Sequence, residues 1–253
     1  MTEGRFSNRV AVVTGAGRGM GSAIAERFGA EGASVAVVDI DGAGARATAR
    51  SIHDAGGSAH AFAIDVGAAA AVHRLAARTL DRFGRVDVLV NNAGILRSTP
   101  AAEIVPEEWN LVMRVDLAGP FLCAQAFYPA LRASGHGRIV NMASMAGRAT
   151  STLGGAHYTA AKAGLLGLSR HLAREWAPDG VTVNAVSPGI VDTPMARGAT
   201  DEARMARVLA SIPFGRLAEP EEVAALVCFL ASDEAAYITG ANVDIHGGEL
   251  IIA

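Results

Sequence analysis

The chain has 253 residues, of which 51% are hydrophobic and 19% are charged, and its net charge at pH 7 is −3. This length and apolar fraction are typical of a globular protein with a sizeable core and exclude a disordered chain. The slight acidity and the scattered arginines argue against a nucleic-acid-binding protein, and no apolar run approaches the roughly 20 residues that a membrane-spanning helix needs.

Short β-branched runs alternate with alanine-rich stretches along the chain. A predicted strand at 9–15 precedes a helix at 19–32, a strand at 34–40 precedes a helix at 42–55, and a strand at 59–66 precedes a helix at 68–83. A strand at 85–94 precedes a long helix at 106–134, and a strand at 137–144 precedes a helix at 157–178. The last elements are a strand at 181–189, a helix at 219–231 and a strand at 241–248. Strands that are apolar on both faces and separated by helices predict a parallel sheet covered on both sides, so the predicted fold class is α/β, a doubly wound, Rossmann-like parallel sheet.

Residues 1–253 are expected to form a single domain, because no linker, composition shift or internal repeat divides them. Segment 190–216 stands apart from the regular alternation. It contains two prolines and only one helical signal, at 200–211. Long loops in compact domains are usually functional, so this segment is predicted to be a lid over a substrate.

A glycine-rich loop, TGAGRGMG at residues 14–21, follows the first predicted strand and opens the first helix. Gly15 permits a sharp turn, Gly19 lets a pyrophosphate approach the backbone, and Gly21 permits close packing of helix on strand. A glycine cluster by itself fits a tight structural turn as well as a nucleotide site. The strand–turn–helix context favours the nucleotide site.

Asp39 ends the second predicted strand, 24 positions after Gly15. A carboxylate at this place can accept a hydrogen bond from a ribose 2′-hydroxyl, although Asp39 is also suited to be a turn or helix-capping residue. Arg18 could pair with a 2′-phosphate, but Asp39 would repel that phosphate at close range. We therefore expect NAD(H) to be preferred over NADP(H).

Tyr158 and Lys162 lie four residues apart in the stretch HYTAAKAGL, and thus on one face of the predicted helix. A free tyrosine has a pKa near ~10, and a cation within ~4–6 Å makes such a phenol more acidic. The pair fits a general acid/base, but a core tyrosine beside a lysine that reaches for solvent fits as well. Ser144 favours the first interpretation, because it ends a predicted strand at the sheet edge where ligands bind in open α/β sheets.

Taken together, these motifs resemble the short-chain dehydrogenase/reductase family, in its single-domain branch of about 250 residues. The resemblance runs nearly end to end. It is carried by TGAGRGMG, by DV at 65–66, NNAG at 91–94, Ser144 and YTAAK, and by SPGIVDTPM at 187–195 and YITGANVDIHGG at 237–248.

The resemblance implies roles for individual residues. Tyr158 would be the acid/base, Lys162 would make it more acidic and bind the nicotinamide ribose, and Ser144 would position the substrate oxygen. Asp65 and Val66 would flank the adenine, Asn92 and Gly94 would lie beside the cofactor, and Val191 and Thr193 would contact its nicotinamide end. The complete predicted cofactor-binding set is Gly15, Arg18, Gly19, Met20, Asp39, Asp65, Val66, Asn92, Gly94, Tyr158, Lys162, Pro188, Gly189, Val191 and Thr193.

Two features depart from the family pattern. Where the family usually has Asn, in V-N-x-x-G, this chain has Asp116. The family's residue holds a local distortion of the helix, and its main-chain carbonyl anchors a water that leads to the lysine, so Asp116 joins Ser144, Tyr158 and Lys162 in the predicted catalytic set. In addition, Ser144 and Tyr158 are 14 residues apart, where the family more often has one residue fewer. The glycines of STLGGAH are expected to absorb the extra residue in a loop.

Three functions are compatible with these residues. The first is NAD(H)-dependent interconversion of a secondary alcohol and a ketone. The second is reduction of a 3-oxoacyl thioester carried on acyl carrier protein, for which Arg97, Arg132 and Arg174 resemble basic positions in that group. The third is a non-catalytic dinucleotide-binding regulator, which the presence of the Tyr/Lys pair disfavours.

The expected partners follow from the same patterns. The substrate pocket should be lined by 95–98, 145–157 and the lid. Met195, Ile212 and Phe214 in the lid suggest an apolar small molecule, although such residues would also be found in a lid that only seals the site. His157 and His246 stand alone, so no metal is expected.

Helices 106–134 and 157–178 are apolar on more than one face, which favours a homotetramer, although burial within one subunit would also explain it. Cys123 and Cys228 in apolar context, and an amino terminus without an apolar signal region, predict a cytoplasmic protein.

Overall fold

The computed structural model describes residues 4–251. Seven strands are present in this range: β1 (Val10–Thr14), β2 (Ser34–Asp39), β3 (Ser58–Ala63), β4 (Val88–Asn91), β5 (Arg138–Met142), β6 (Thr182–Pro188) and β7 (Asn242–Ile245). Nine α-helices accompany them: α1 (Gly19–Ala30), α2 (Gly42–Asp54), α3 (Ala69–Phe83), α4 (Pro106–Met113), α5 (Gly119–Ala133), α6 (Ala156–Trp176), α7 (Pro194–Gly198), α8 (Glu202–Ser211) and α9 (Pro220–Ala231).

The strands form one parallel sheet in the order β3-β2-β1-β4-β5-β6-β7. The chain first winds outwards from β1 to β3, then returns to the other side of β1 and winds outwards again through β4. The carboxyl ends of β1 and β4 therefore frame the point where the winding direction reverses, and open α/β sheets bind their ligands at this point. The predicted doubly wound fold is confirmed.

Successive strand residues feed two different hydrophobic layers. In β1, Ala11 and Val13 pack with α1, α2 and α9 on one face of the sheet, whereas Val10 and Val12 pack with α3, α5 and α6 on the other. This alternation explains the unbroken apolar runs of β1, β2 and β4, since both faces of the sheet are covered there.

The long helix predicted at 106–134 is interrupted. A π-helical turn, Arg114–Ala118, separates α4 from α5, and the Gly119 N–H bonds the Arg114 carbonyl five residues back. Pro120 explains the break, because it has no N–H to donate to the carbonyl of Asp116 four residues earlier. The local distortion expected at Asp116 is thus present.

The predicted lid contains more helix than expected. The helix predicted at 200–211 is found as α8, and α7 was not predicted at all. Thr193 caps α7, because its hydroxyl accepts a hydrogen bond from the Ala196 N–H at 3.3 Å. Within residues 4–251, no helix is both long and apolar enough to cross a membrane, and Cys123 and Cys228 are free and buried.

Candidate active site

A cavity of about 270 Å³ opens at the carboxyl edge of the sheet, at the point where the winding reverses. Most of the residues singled out in the sequence line it, although they are spread along the chain from Gly15 to Thr193. They are Gly15, Arg18, Gly19, Met20, Asp39, Asp65, Val66, Asn92, Gly94, Asp116, Tyr158, Lys162 and Thr193.

The glycine loop between β1 and α1 is tightly folded. Gly15 has a φ of +62°, in the left-handed region that favours glycine. A Cβ added to Gly21 would lie 2.0 Å from the Gly15 carbonyl oxygen, so the helix can start this close to the strand only with glycine there. The side-chain amide of Asn92, just after β4, donates to the carbonyls of Thr14 and Gly15 at 2.9 and 3.0 Å. Asn92 therefore holds the loop as well as lining the cavity.

The start of α1 is open to a ligand. Its N-cap residue, Arg18, makes no side-chain capping bond, so the first N–H groups of the helix have no side-chain acceptor within the described chain. Uncapped N–H groups and the positive end of the helix dipole form a site for phosphate groups. The residues present thus fit a dinucleotide whose pyrophosphate lies on this helix.

Asp39, at the end of β2, contacts the glycine loop directly. Its Oδ2 accepts from the Gly17 N–H at 2.8 Å and its Oδ1 from the Asp41 N–H at 2.8 Å. A carboxylate can accept about four hydrogen bonds, so acceptor capacity remains on the side that faces the cavity. Both interpretations of Asp39 in the sequence are compatible with this arrangement, since the side chain holds the turn and also lines the cavity.

Asp65 and Val66 follow β3 and line the cavity beyond Asp39. The Asp65 carboxylate accepts from the Gly67 N–H at 2.8 Å and from Arg114 at 2.9 Å. These contacts fix the far wall of the cavity to the start of the π-helical turn.

Lys162 is buried below Tyr158 on α6. Its Nζ donates to the Met142 carbonyl at 3.0 Å and lies 5.6 Å from the centre of the Tyr158 ring. The contact with Met142 cannot be predicted from the side chains, because any residue at that position supplies the same main-chain carbonyl. The ammonium is thus held in place by the end of β5 and lies close enough to stabilise negative charge on the phenol.

Asp116 is fully buried in the π-helical turn and faces the lysine. Its Oδ2 lies 3.4 Å from Lys162 Nζ, and its Oδ1 accepts from the Ile95 N–H at 2.9 Å. A Cβ on Gly94 would lie 3.2 Å from Oδ2, so the loop after β4 packs directly over the ion pair. Burial raises the pKa of Asp116, and the positive charge of Lys162 opposes that rise. These contacts show that the Asp116 side chain points towards the lysine.

Ser144 lies just beyond β5, beside a second cavity of about 100 Å³ that adjoins the first. Its Oγ accepts from the Ala146 N–H at 3.1 Å, which leaves the hydroxyl proton free to point towards a ligand. Tyr158, Met20, Thr193 and Met195 line both cavities. The smaller cavity therefore begins where Tyr158 and Ser144 face a common space.

The smaller cavity has the walls expected of the substrate pocket. Leu96, the 145–153 loop and the first part of the lid line it. Pro188, Gly189 and Val191, which were predicted to bind the cofactor, line this cavity and not the larger one. Of the three lid hydrophobes, only Met195 lines it. Ile212 and Phe214 pack instead near Gly247, and the expectation that they face the substrate is wrong.

His157 and His246 were expected to stand alone, but each lies close to a carboxylate. His157 is not isolated, because its Nε2 lies 2.8 Å from Glu108 Oε1 and its Nδ1 accepts from the Tyr158 N–H. His246 lies 3.9 Å from Asp244, beyond the smaller cavity. Within residues 4–251, no group of three or more His, Cys, Asp or Glu side chains is arranged to hold a metal ion.

Known proteins have similar sequences and similar folds. A family model described as enoyl-(acyl carrier protein) reductase matches residues 15–249. The chain is 44% identical to a short-chain reductase protein, NovJ, of Streptomyces niveus, over 94% of this chain and 93% of that protein. It is 43% identical to D-threitol dehydrogenase of Mycolicibacterium smegmatis, over 98% and 95% of the two chains.

A third relative is 3-oxoacyl-[acyl-carrier-protein] reductase FabG of Escherichia coli, which is 42% identical over 98% of this chain and 99% of its own length. Among solved structures, levodione reductase superimposes with a TM-score of 0.92 at 33% identity, covering 96% of this chain and 98% of its own. This protein therefore belongs to the short-chain dehydrogenase/reductase family, and it is an oxidoreductase that acts on a CH–OH or C=O group with a nicotinamide dinucleotide.

Proposed function

We propose that the protein interconverts a secondary alcohol and a ketone with NAD(H), using Tyr158 as the general acid/base. The observation that carries this proposal is the junction of the two cavities, where Tyr158 and Thr193 line both the larger cavity and the pocket beside Ser144. A substrate carbonyl held there would meet a proton donor on the side that faces the cofactor.

The proton-transfer step follows from the side chains at this junction. In the reductive direction, the Ser144 hydroxyl donates a hydrogen bond to the carbonyl oxygen, and the Tyr158 hydroxyl gives its proton to that oxygen. Lys162, held by the Met142 carbonyl at 3.0 Å, stabilises the phenolate that results. In the oxidative direction the same phenolate removes the alcohol proton. A bound nicotinamide dinucleotide supplies or accepts the hydride.

The cofactor would be held by residues at the ends of four strands, β1 to β4, together with Lys162 and the lid. The open start of α1 would carry the pyrophosphate, and Asp39 would accept from a ribose hydroxyl. Asp65 and Val66 form the far wall, where the adenine would lie. Gly94 and Asn92 form the floor of the cavity beside Lys162, which would bind the nicotinamide ribose, and Thr193 and Val191 would close its nicotinamide end.

The proposed preference for NAD(H) depends on two residues with opposite effects: Asp39 disfavours a 2′-phosphate, whereas Arg18 favours it. Asp39 is fixed in the cavity by two backbone N–H groups, so it cannot move away from a 2′-phosphate without loosening the glycine loop. Arg18 lines the same cavity and is the residue that would favour NADP(H). A fixed carboxylate at this place accepts from a 2′-hydroxyl and repels a phosphate, which supports NAD(H).

The substrate is proposed to be an apolar alcohol or ketone. Leu96, Leu153, Met145, Ile190 and Met195 are among the apolar side chains that line the smaller cavity. Reduction of a 3-oxoacyl thioester is the second candidate, and the 42% identity to the Escherichia coli 3-oxoacyl-[acyl-carrier-protein] reductase supports it. Of the arginines that suggested this activity, Arg132 is bound to Asp179 at 2.9 Å in the subunit.

A substrate panel separates these candidates. Purified protein is assayed with NADH and NADPH against simple ketones, cyclic diketones, sugar-derived ketones and a 3-oxoacyl thioester. The proposal expects turnover of at least one free ketone and a higher kcat/KM with NADH. Turnover of the thioester alone supports the second candidate. No turnover of any compound, with tight NADH binding, would favour a non-catalytic protein.

A further inference from the structure

The catalytic helix begins without a side-chain cap. Its N-cap residue is Gly155, which has no side chain to bond the first N–H groups of α6. Two residues later, the His157 ring is completely buried, and its Nδ1 lies 2.9 Å from the N–H of Tyr158. The amide of the proposed acid/base is thus bonded by the side chain of the residue before it.

The hydrogen bonds define which nitrogen of His157 carries the proton. A backbone N–H can only donate, so Nδ1 must be an unprotonated acceptor. The proton of the neutral ring is then on Nε2, which donates to Glu108 Oε1 at 2.8 Å. This bond is the largest cause of a lowered pKa at Glu108. The ring therefore uses both of its nitrogens, one on each neighbour.

Glu108 belongs to α4, so the histidine connects the first turn of α6 to α4. A second bond, from the Thr99 side chain, also lowers the pKa of Glu108. The Gly155 N–H donates to the Arg97 carbonyl at 2.7 Å. The first turn of α6 is thereby tied to the segment after β4, whose Leu96 forms one wall of the smaller cavity.

We propose that His157 is a positioning residue for the reaction: braced by Glu108, its Nδ1 takes the place of the missing N-cap side chain and fixes the backbone from which Tyr158 reaches the substrate. This inference rests on the proposed role of Tyr158. Reacting groups must stay near the productive geometry, and a displacement of 1 Å can reduce the rate about 100-fold. The Tyr158 N–H also donates to the Gly155 carbonyl at 3.1 Å, so loss of Nδ1 removes one of its two acceptors and loosens the first turn of the helix that carries Tyr158.

Three substitutions test which nitrogen matters. In His157→Asn, the Oδ1 atom stands where Nδ1 stood and can still accept from Tyr158. In His157→Gln, the Nε2 atom can still reach Glu108, but the acceptor for Tyr158 is lost, and His157→Leu loses both. We expect Asn to retain kcat within about threefold, the scale of small changes in one hydrogen bond, whereas Gln and Leu lose on the order of tenfold or more in kcat. KM for the cofactor should change little in all three.

His171→Leu is the matched control. His171 also lies on α6 and also pairs with a glutamate, Glu175, at 3.0 Å, but its side chain is 74% exposed. We expect this variant to keep the activity of the unaltered protein. Equal losses of kcat in His171→Leu and His157→Leu would overturn the proposal.

Hydrogen–deuterium exchange gives a readout that does not depend on turnover. Exchange in the peptide that contains residues 156–162 should rise in His157→Gln and His157→Leu, and stay as in the unaltered protein in His157→Asn. If exchange rises but kcat does not fall, His157 holds the helix start without positioning Tyr158 for the reaction, and the proposal is wrong. Equal kcat losses in the Asn and Leu variants would also overturn it. If the Leu variant does not fold, the comparison of Asn with Gln decides the question, and Tyr158→Phe tests the role of Tyr158 separately.

Discussion

The Gly17 N–H donates to Asp39 Oδ2 at 2.8 Å, so the carboxylate predicted to bind the cofactor ribose also fastens the glycine loop to the end of β2. Its other oxygen accepts from the Asp41 N–H at 2.8 Å, at the residue that caps α2. Asp39 thus connects the phosphate-binding turn, the second strand and the second helix. A substitution here changes the shape of the cofactor site as well as its charge.

Removal of the whole carboxylate should weaken both cofactors. In Asp39→Ala, the N–H groups of Gly17 and Asp41 lose their acceptor, each at a cost of about 1–3 kcal/mol where water does not replace it. We expect the Kd for NADH to rise about tenfold or more and the Kd for NADPH not to improve. Fluorescence titration of both cofactors measures this.

Asp39→Asn is the matched variant, because its Oδ1 can keep one of the two bonds while the negative charge is lost. It should bind NADPH more tightly than the unaltered protein, since the repulsion of the 2′-phosphate is gone. If Asp39→Ala binds NADPH more tightly than Asp39→Asn, the hydrogen bond between the glycine loop and residue 39 does not contribute to cofactor affinity, and this part of the prediction is wrong. A higher kcat/KM for NADPH than for NADH in the unaltered protein would show that Arg18 dominates.

Tyr158→Phe tests the acid/base directly. The change removes the hydroxyl and its proton but keeps the ring, so packing and cofactor binding should persist. We expect kcat to fall at least ~10²-fold, the lower end of general acid/base contributions. The NADH dissociation constant, measured in parallel, should stay within about threefold of the original. Turnover close to that of the unaltered protein would remove Tyr158 from the mechanism.

Lys162→Met should reduce activity, cofactor affinity and stability together. The substitution removes the cation beside the phenol and leaves the Asp116 carboxyl buried without its partner. Loss of one member of a buried ion pair typically costs about 3–5 kcal/mol. Thermal unfolding, kcat and the NADH Kd are measured on the same preparation. An unchanged cofactor Kd would contradict the assigned contact with the ribose.

The double variant Lys162→Met/Asp116→Asn separates stability from chemistry. It removes the uncompensated charge while Asn can keep the bond from the Ile95 N–H. We expect it to regain part of the lost thermal stability and none of the lost activity. If activity returns as well, the defect of the single variant is structural and the lysine has no chemical role.

A homotetramer is expected from the surface of the interrupted helix. Trp109 and Phe121, on α4 and α5, are 39% and 40% exposed, and Val105, just before α4, is 52% exposed. A partner subunit would cover this apolar surface. Light scattering should give four times the subunit mass of 25.9 kDa, and Phe121→Glu should lower it, whereas Leu80→Glu on α3 should not. A mass of one subunit for the unaltered protein would reject the prediction.

The strands and the residues of the larger cavity could be predicted because each carries a local signal. The run 10–13 is apolar at every position, and Asp39 directly follows a similar run at 35–38. The break in the long helix was also foreseeable, because Pro120 cannot complete the bond to Asp116. The sequence was nevertheless interpreted as one helix, since apolar periodicity continues through the π-helical turn.

The contacts that depend on the tertiary fold could not be predicted. Glu108 and His157 are 49 positions apart, and nothing local pairs them. Ile212 and Phe214 are apolar, as pocket residues often are. They follow α8, however, and they pack near Gly247 instead of lining the smaller cavity. Composition indicates that a segment is apolar, whereas the path of the chain decides which surface it meets.

The final prediction concerns the ion pair at Asp116. Its Oδ2 lies 3.4 Å from Lys162 Nζ, so an ionised carboxylate partly cancels the field of the lysine at Tyr158. Alcohol oxidation needs the phenolate, and the negative charge opposes its formation. Asp116→Asn keeps the size of the side chain and an oxygen for the Ile95 N–H, but removes the charge. The rise of kcat for alcohol oxidation with pH should therefore occur at lower pH in the variant.

Because burial raises the pKa of Asp116, the carboxylate charge is present only above that raised pKa, and the two profiles should converge as the pH falls. The measurement is kcat against pH for both proteins, with the same alcohol and saturating cofactor. Superimposable profiles over the whole range would mean that Asp116 is protonated throughout and leaves the phenol unaffected.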